Sequence, residues 1–341
     1  MQPIQVKISQ AQSMITGFLK AKLVPLLVGS PGMGKSQIYQ QIADTYGLLM
    51  IDFRLGTADV TDVNGFPKIN DNKAGYVPMD TFPIEGDPIP EGYNGWLLLF
   101  DEITAAVPTL QAAAYKIILD RRVGKYRLHP NVAVCAAGNL ESDNAVVHPM
   151  STALQSRLVH IELMVDATEW TNWAATNDVD HRITDYIKFM PNNLFTFSPD
   201  HTDKTYACPR TWEFANRVLK VTEEDSKDRL PMLAGTIGEG VAREFLGFMK
   251  IYKDLPTPAE IANDPERIKV PLEPSVLFAL TGTISHHAKN DPSFSQVMKY
   301  VGRLPVEFQV VTLRETVRRN PKMMAHPAVQ KWVSASAESL F

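Results

Sequence analysis

The sequence predicts an α/β fold: a parallel five-stranded sheet covered by helices, followed by a helical region. Three observations predict it. Near-continuous apolar runs at residues 23–28, 48–53, 97–100, 132–137 and 158–163 suit strands buried on both faces. Helical spacings separate several of these runs, which is the alternation of βαβ units. From about residue 167 the spacing is mostly helical to the end. At roughly 150 residues per domain, 341 residues make about two domains. The expected division is residues 1–165, with an excursion at 56–95, and residues 166–341.

In chain order, Leu23-Val24-Pro25-Leu26-Leu27-Val28 is a strand that ends in a glycine-containing turn. Residues 35–46 follow as a helix, with Ile38 and Ile42 one turn apart and Gly47 as C-cap. Leu48 to Phe53 reads as the second strand. The stretch 56–95 carries Pro67, Pro78, Pro83, Pro88 and Pro90, so it is neither one long helix nor a central strand. Its length marks an insertion with its own role. Asn70-Asp71-Asn72 suits the turn of a short hairpin, and Phe66, Tyr76 and Phe82 either form a contact surface or pack back on their domain. After the third strand, a helix from Pro108 to Arg122 puts Leu110, Ala114, Ile117 and Ile118 on one face.

Composition narrows the class. The 34 basic and 38 acidic side chains give a net charge of -4, which argues against a dedicated nucleic-acid binder. No apolar run reaches the roughly 20 residues of a membrane span, and the first residues lack the pattern of a signal peptide. Cys135 and Cys208 are far apart and form no CxxC, so a reducing cytoplasm is the expected setting.

Gly29-Ser30-Pro31-Gly32-Met33-Gly34-Lys35-Ser36 fits G-x-x-x-x-G-K-[ST] in full, between a strand and a helix. The glycines let the backbone curl so that N–H groups point at phosphate oxygens, and the helix adds its positive end. Lys35 is expected to reach the β- and γ-phosphates and Ser36 to ligate Mg2+. The strand Leu97-Leu98-Leu99-Phe100 delivers Asp101 and Glu102 at its carboxyl end, where open α/β sheets bind ligands. Asp101 is expected to hold the metal and Glu102 to polarise the attacking water. Asn139 closes the fourth strand, either to orient that water or to begin a turn. Arg157 and Arg210 are candidates to neutralise charge on a transferring phosphoryl group; surface ion pairing is their ordinary alternative.

This order of motifs resembles the AAA+ ATPases, and within them the MoxR-like branch. Asp101-Glu102 is similar to the family's magnesium and water-activating pair, and Asn139 to its sensor asparagine. Arg157 is similar in context to the arginine finger that acts on the neighbouring subunit's nucleotide, although Ser156 stands where many relatives have aspartate. Arg210, after Pro209 at a helix start, resembles the second sensor arginine. Asp62-Val63-Asn64-Gly65-Phe66-Pro67 resembles the Asp-x-x-Gly-x-Pro segment of the MoxR-like insert. Residues 117–128 resemble the helix and hairpin ahead of the fourth strand. The resemblance implies a helical lid after the core, Mg2+-dependent hydrolysis of ATP, and a ring, expected to be a hexamer. It further implies chaperone-like remodelling of a protein client, often beside a protein with a von Willebrand factor A domain.

Two other readings stay open: a nucleic-acid translocase or clamp-loader-like ATPase, and an ATP-dependent assembly switch with little turnover. GTP is disfavoured because no Asn-Lys-x-Asp occurs. The remaining features read as structural. Trp170 and Trp173 suit a helical core, and His286-His287 has no partner motif in sequence. Arg121, Arg122, Lys125 and Arg127 read as solvated or subunit-contact residues, and Arg314, Arg318 and Arg319 as an exposed helix face.

Overall fold

The computed structural model describes residues 4–70, 73–143, 147–289 and 291–340. The chain forms two compact units. One runs through Asp166 and includes Ser198–His201; the other is Ala167–Phe197 with the chain from Thr202 onward.

The first unit runs β1 (Gln5–Val6), α1 (Ile8–Lys20), β2 (Val24–Val28), α2 (Lys35–Tyr46), β3 (Leu48–Arg54), α3 (Val60–Asn64), β4 (Phe66–Asn70) and β5 (Lys73–Val77). It continues with β6 (Gly95–Asp101), α4 (Pro108–Asp120), β7 (Arg122–Val123), β8 (Tyr126–Arg127), β9 (Val132–Gly138), α5 (Thr152–Gln155) and β10 (Leu158–Leu163). The main sheet has the order β1-β10-β2-β9-β6-β3, and every pair in it is parallel. The five expected strands are all present. The sheet nevertheless has six strands among the described residues, because β1 adds an edge by pairing Gln5 with Glu162. Two residues are too few to show a period. All seven residues of β6 are buried, as a central parallel strand requires.

The excursion after β3 is built, not loose. Asp59 caps α3 with a capping box, and Phe66–Asn70 pairs antiparallel with Lys73–Val77. Asp71 and Asn72, the expected turn residues, lie outside the described residues. The three aromatics divide: Phe82 is buried, its ring 5.2 Å from Phe53, whereas Phe66 and Tyr76 stay 65% and 52% exposed. The return leg is stitched to the β8 side, where Glu85 N donates to Arg127 O (2.9 Å) and His129 N to Pro83 O (3.0 Å). Helix α4 ends two residues before the expected Arg122, since Arg121 is left-handed (φ 55°) and its guanidinium donates to Val132 O.

The regular elements among the described residues of the second unit are all helices: α6 (Ala167–Thr176), α7 (His181–Phe189), α8 (Pro209–Val221), α9 (Arg229–Ile237), α10 (Glu239–Ile251), α11 (Pro258–Asn263), α12 (Pro274–His287), α13 (Ser293–Val301), α14 (Val306–Arg319) and α15 (Pro327–Leu340), with short 3-10 turns between some of them. Here the arginines of α14 depart from expectation. Only Arg314 is exposed. Arg318 pairs with buried Glu315 (2.7 Å), which also meets Lys188 (2.9 Å), and Arg319 donates to Thr184 Oγ1 (3.3 Å). Burial pushes the nearby Asp185 carboxyl up to about 6, against the pull of Lys188 and Arg319. Tyr252 donates to it at 2.8 Å, and a Cβ at Gly282 would collide with its Oδ2, so only glycine fits there.

His181 stacks on His286 at 4.3 Å, a partner that the sequence did not reveal. Burial, opposed by Asp180, holds His181 down to about 3. A base depressed in the fold stabilises above its unfolded value near 6.5 and loses that contribution as pH falls towards 3. Relative to His181→Gln, the wild type should therefore lose on the order of 1.4 kcal/mol per pH unit below about 6. Urea unfolding of both proteins at pH 7.5 and 4.5 measures this. A stability difference that does not change with pH would contradict a buried neutral His181.

Candidate nucleotide site

Three neighbouring strands bring the site together. β2 pairs with β9 so that Val28 lies beside Gly138, and Gly29 N donates to Gly138 O (3.3 Å). The loop leaving β2 and Asn139 leaving β9 therefore emerge side by side. β9 also pairs with β6, and Ile103 N donates to Ala137 O (3.0 Å), which brings Asp101 and Glu102 to the same edge. The loop turns through Gly32 and Gly34, at φ 80° and 88°, where a side chain would be strained. Tyr39 bolts α2 to the sheet, donating to Ala136 O at 2.9 Å.

Lys35 is buried, and its Nζ donates to Gly29 O (2.6 Å), Ser30 O (3.1 Å) and Asn139 Oδ1 (3.0 Å). Ser36 Oγ donates to Asp101 Oδ2 at 2.6 Å, while Glu102 N donates to Asp101 Oδ1 at 2.8 Å. A hydroxyl and a carboxylate at this separation are hard oxygen donors, and Mg2+ is commonly held by one or two such groups together with phosphate and water. Ser36 and Asp101 thus fit that ion. Among the described residues no group of three or more His, Cys, Asp or Glu could hold a metal without such help. Glu102 has φ 57°, a left-handed backbone costing roughly 1–2 kcal/mol outside glycine. Its carbonyl accepts from Ala105 N (2.9 Å), so that conformation is part of a hydrogen-bonded turn.

Two contributors went unnoticed in the sequence. Thr104 Oγ1 accepts from Asn139 N (2.9 Å), and a Cβ on Gly138 would strike its side chain at 2.6 Å. Asp143 accepts from Ser30 Oγ (3.2 Å); burial raises its pKa, offset by Ser30 and Lys35. Neither carries a motif signal, because each acts across strands.

Arg157 is exposed on this unit. Its Nη1 donates to Ala153 O and Ser156 Oγ, both at 2.8 Å, and the guanidinium sits 4.9 Å from the Tyr115 ring centre. Ser156 thus orients Arg157. Arg210 is an exposed residue in the first turn of α8, in the second unit. At the opposite ends of β2 and β9, Lys20, Lys22, Lys116, Arg121, Arg122 and Arg127 help to line a cleft of about 1110 Å³. Arg121, Arg122 and Arg127 of the expected basic cluster thus share this cleft with Lys20, Lys22 and Lys116.

The fold is an α/β domain with a parallel sheet, one edge of which gathers the glycine-rich loop, Asp101, Glu102 and Asn139, and a helical unit follows it in the chain. No protein-family model matches the chain, and no curated protein does. Among solved structures it is similar to a mutant of Thermotoga maritima RuvB, at 16% identity over 83% of this chain and 86% of that one (TM-score 0.40). It is also similar to the Thermotoga maritima RuvB Holliday junction branch migration motor (14% identity, 81% and 80%, TM-score 0.38). A third is NtrX from Brucella abortus in complex with ATP (12%, 100% and 68%, TM-score 0.37). No helix among the described residues is long and apolar enough to cross a membrane.

Proposed function

We propose that the protein is a Mg2+-dependent ATPase of the AAA+ class, MoxR-like, which works as a ring (a hexamer in our reading) and remodels a protein client. The observation that carries this reading is the convergence of Lys35, Asn139, Ser36 and Asp101 at one sheet edge, with Glu102 next in the chain. Ser36 and Asp101 would hold the magnesium ion, which when bound supplies charge neutralisation at the β- and γ-phosphate oxygens. Lys35 would exchange its carbonyl partners for phosphate oxygens. Asn139, tied to Thr104 and Lys35, would orient the attacking water, and Glu102 would take its proton. Arg157 would complete the site of the next subunit and Arg210 that of its own. The exposed Phe66 and Tyr76 would face the client or a von Willebrand factor A domain partner.

Phosphate release by the purified protein with ATP, with and without Mg2+, tests this directly. Mg2+-dependent turnover that rises with protein concentration supports a ring ATPase. Tight ATP binding without turnover would favour the assembly switch instead. The basic cleft favours a second reading, a nucleic-acid translocase. Salt-sensitive stimulation of turnover by DNA or RNA would support it, whereas stimulation by a protein alone would not.

A further inference from the structure

The register of β3 on β6 sets Arg54 opposite Asp101, so the residues that follow each strand leave the sheet together. Leu55–Thr57, the 3-10 turn that opens the insert, therefore lies against Glu102. Leu55 is wholly buried and anchors this turn. Gly56 comes next, and its φ is not in the left-handed region, so its backbone does not require glycine. Space does. A Cβ built there would sit 2.9 Å from Glu102 Oε2, 3.3 Å from Glu102 Cβ and 3.3 Å from Ala105 Cβ.

We infer that Gly56 is a positioning residue for hydrolysis: its missing side chain leaves the Glu102 carboxylate its working place. This rests on the reading of Glu102 as the water-activating group. The backbone of Glu102 is pinned on both sides, by the Asp101 Oδ1 contact to its N–H and by Ala105 N–H on its carbonyl. The backbone therefore cannot absorb an added methyl. The carboxylate, at the free end of a flexible side chain, can. Moving the carboxylate relieves the 2.9 Å approach to Oε2, whereas the two Cβ contacts at 3.3 Å ask their neighbours to give by only a few tenths of an ångström. Because Gly56 also begins the insert, the insert's attachment is one of the walls that hold the carboxylate.

Gly56→Ala in the full-length protein tests this. A displacement of the carboxylate by about 1 Å should lower kcat about tenfold to hundredfold. The KM for ATP and the melting temperature should stay near wild type, which a merely structural role would not give. Glu102→Asp supplies the second arm, since it withdraws the carboxylate by one methylene. It should cost much turnover alone and far less in the Gly56→Ala background. The double variant should then be about tenfold or more above the product of the two single losses. Crystal structures of wild type and Gly56→Ala should show the Glu102 carboxylate displaced, with Asp101 and the phosphate loop unmoved. Unchanged kcat, additive losses or an undisplaced carboxylate would overturn the inference. A wild-type protein that binds ATP without hydrolysing it would refute the proposed function instead, and the crystal structures would then decide the position of the carboxylate by themselves.

Discussion

Glu102→Gln is expected to bind ATP nearly as well as wild type and to hydrolyse it slower by a factor on the order of 10²–10⁴, the usual worth of a positioned general base. The amide keeps the volume and shape of the carboxylate, so neither the left-handed backbone at residue 102 nor the approach of Gly56 is disturbed. What is lost is the negative charge and basicity with which the carboxylate takes the water's proton. Isothermal titration with ATP and a phosphate-release assay on the same preparation separate the two quantities. Turnover within a few-fold of wild type would remove Glu102 from its role. A large fall in affinity would mean that the substitution disturbs Asp101, whose Oδ1 accepts from the neighbouring amide. The slowed protein should also hold its client long enough to be isolated with it.

Arg157→Ala is expected to lower turnover by a factor on the order of 10³–10⁵ if the guanidinium acts as an arginine finger, with ATP affinity close to wild type. The side chain is exposed and held in a fixed pose by Ala153, Ser156 and the Tyr115 ring, which suits a group presented to a neighbour. Mixing Arg157→Ala with Lys35→Ala protein should then restore part of the activity, because one interface in the mixed ring joins an intact loop to an intact arginine. No recovery at any ratio, in rings shown to be mixed, would assign Arg157 to its own subunit or to structure. Ser156→Ala should weaken turnover less, since it removes one of three contacts that aim the guanidinium.

Much of this molecule follows from local pattern. The strands of residues 23–28, 48–53, 97–100, 132–137 and 158–163 were legible because a strand buried on both faces must be apolar at nearly every position. Helix α2 was legible to the residue, since Gly34 and Gly47 bracket it with backbone angles that other residues avoid. The stretch Gly29 to Ser36 and the pair Asp101-Glu102 stood out in the sequence because each lies in a few contiguous residues.

Local pattern thus reaches as far as the α/β class, the strands and the chain positions of the loop and the carboxylates. Which distant groups meet is settled by the folded chain alone. Lys35 reaches Asn139 across 104 positions and Ser30 reaches Asp143 across 113, contacts that depend on strand order and register. The same holds for Phe82, sent into the core while Phe66 and Tyr76 stay out, and for Arg318 and Arg319, drawn inward by Glu315 and Thr184. Periodicity reports only how a segment turns its own faces. Which face meets which neighbour is set by the sheet order β1-β10-β2-β9-β6-β3 and by buried charge seeking its partner.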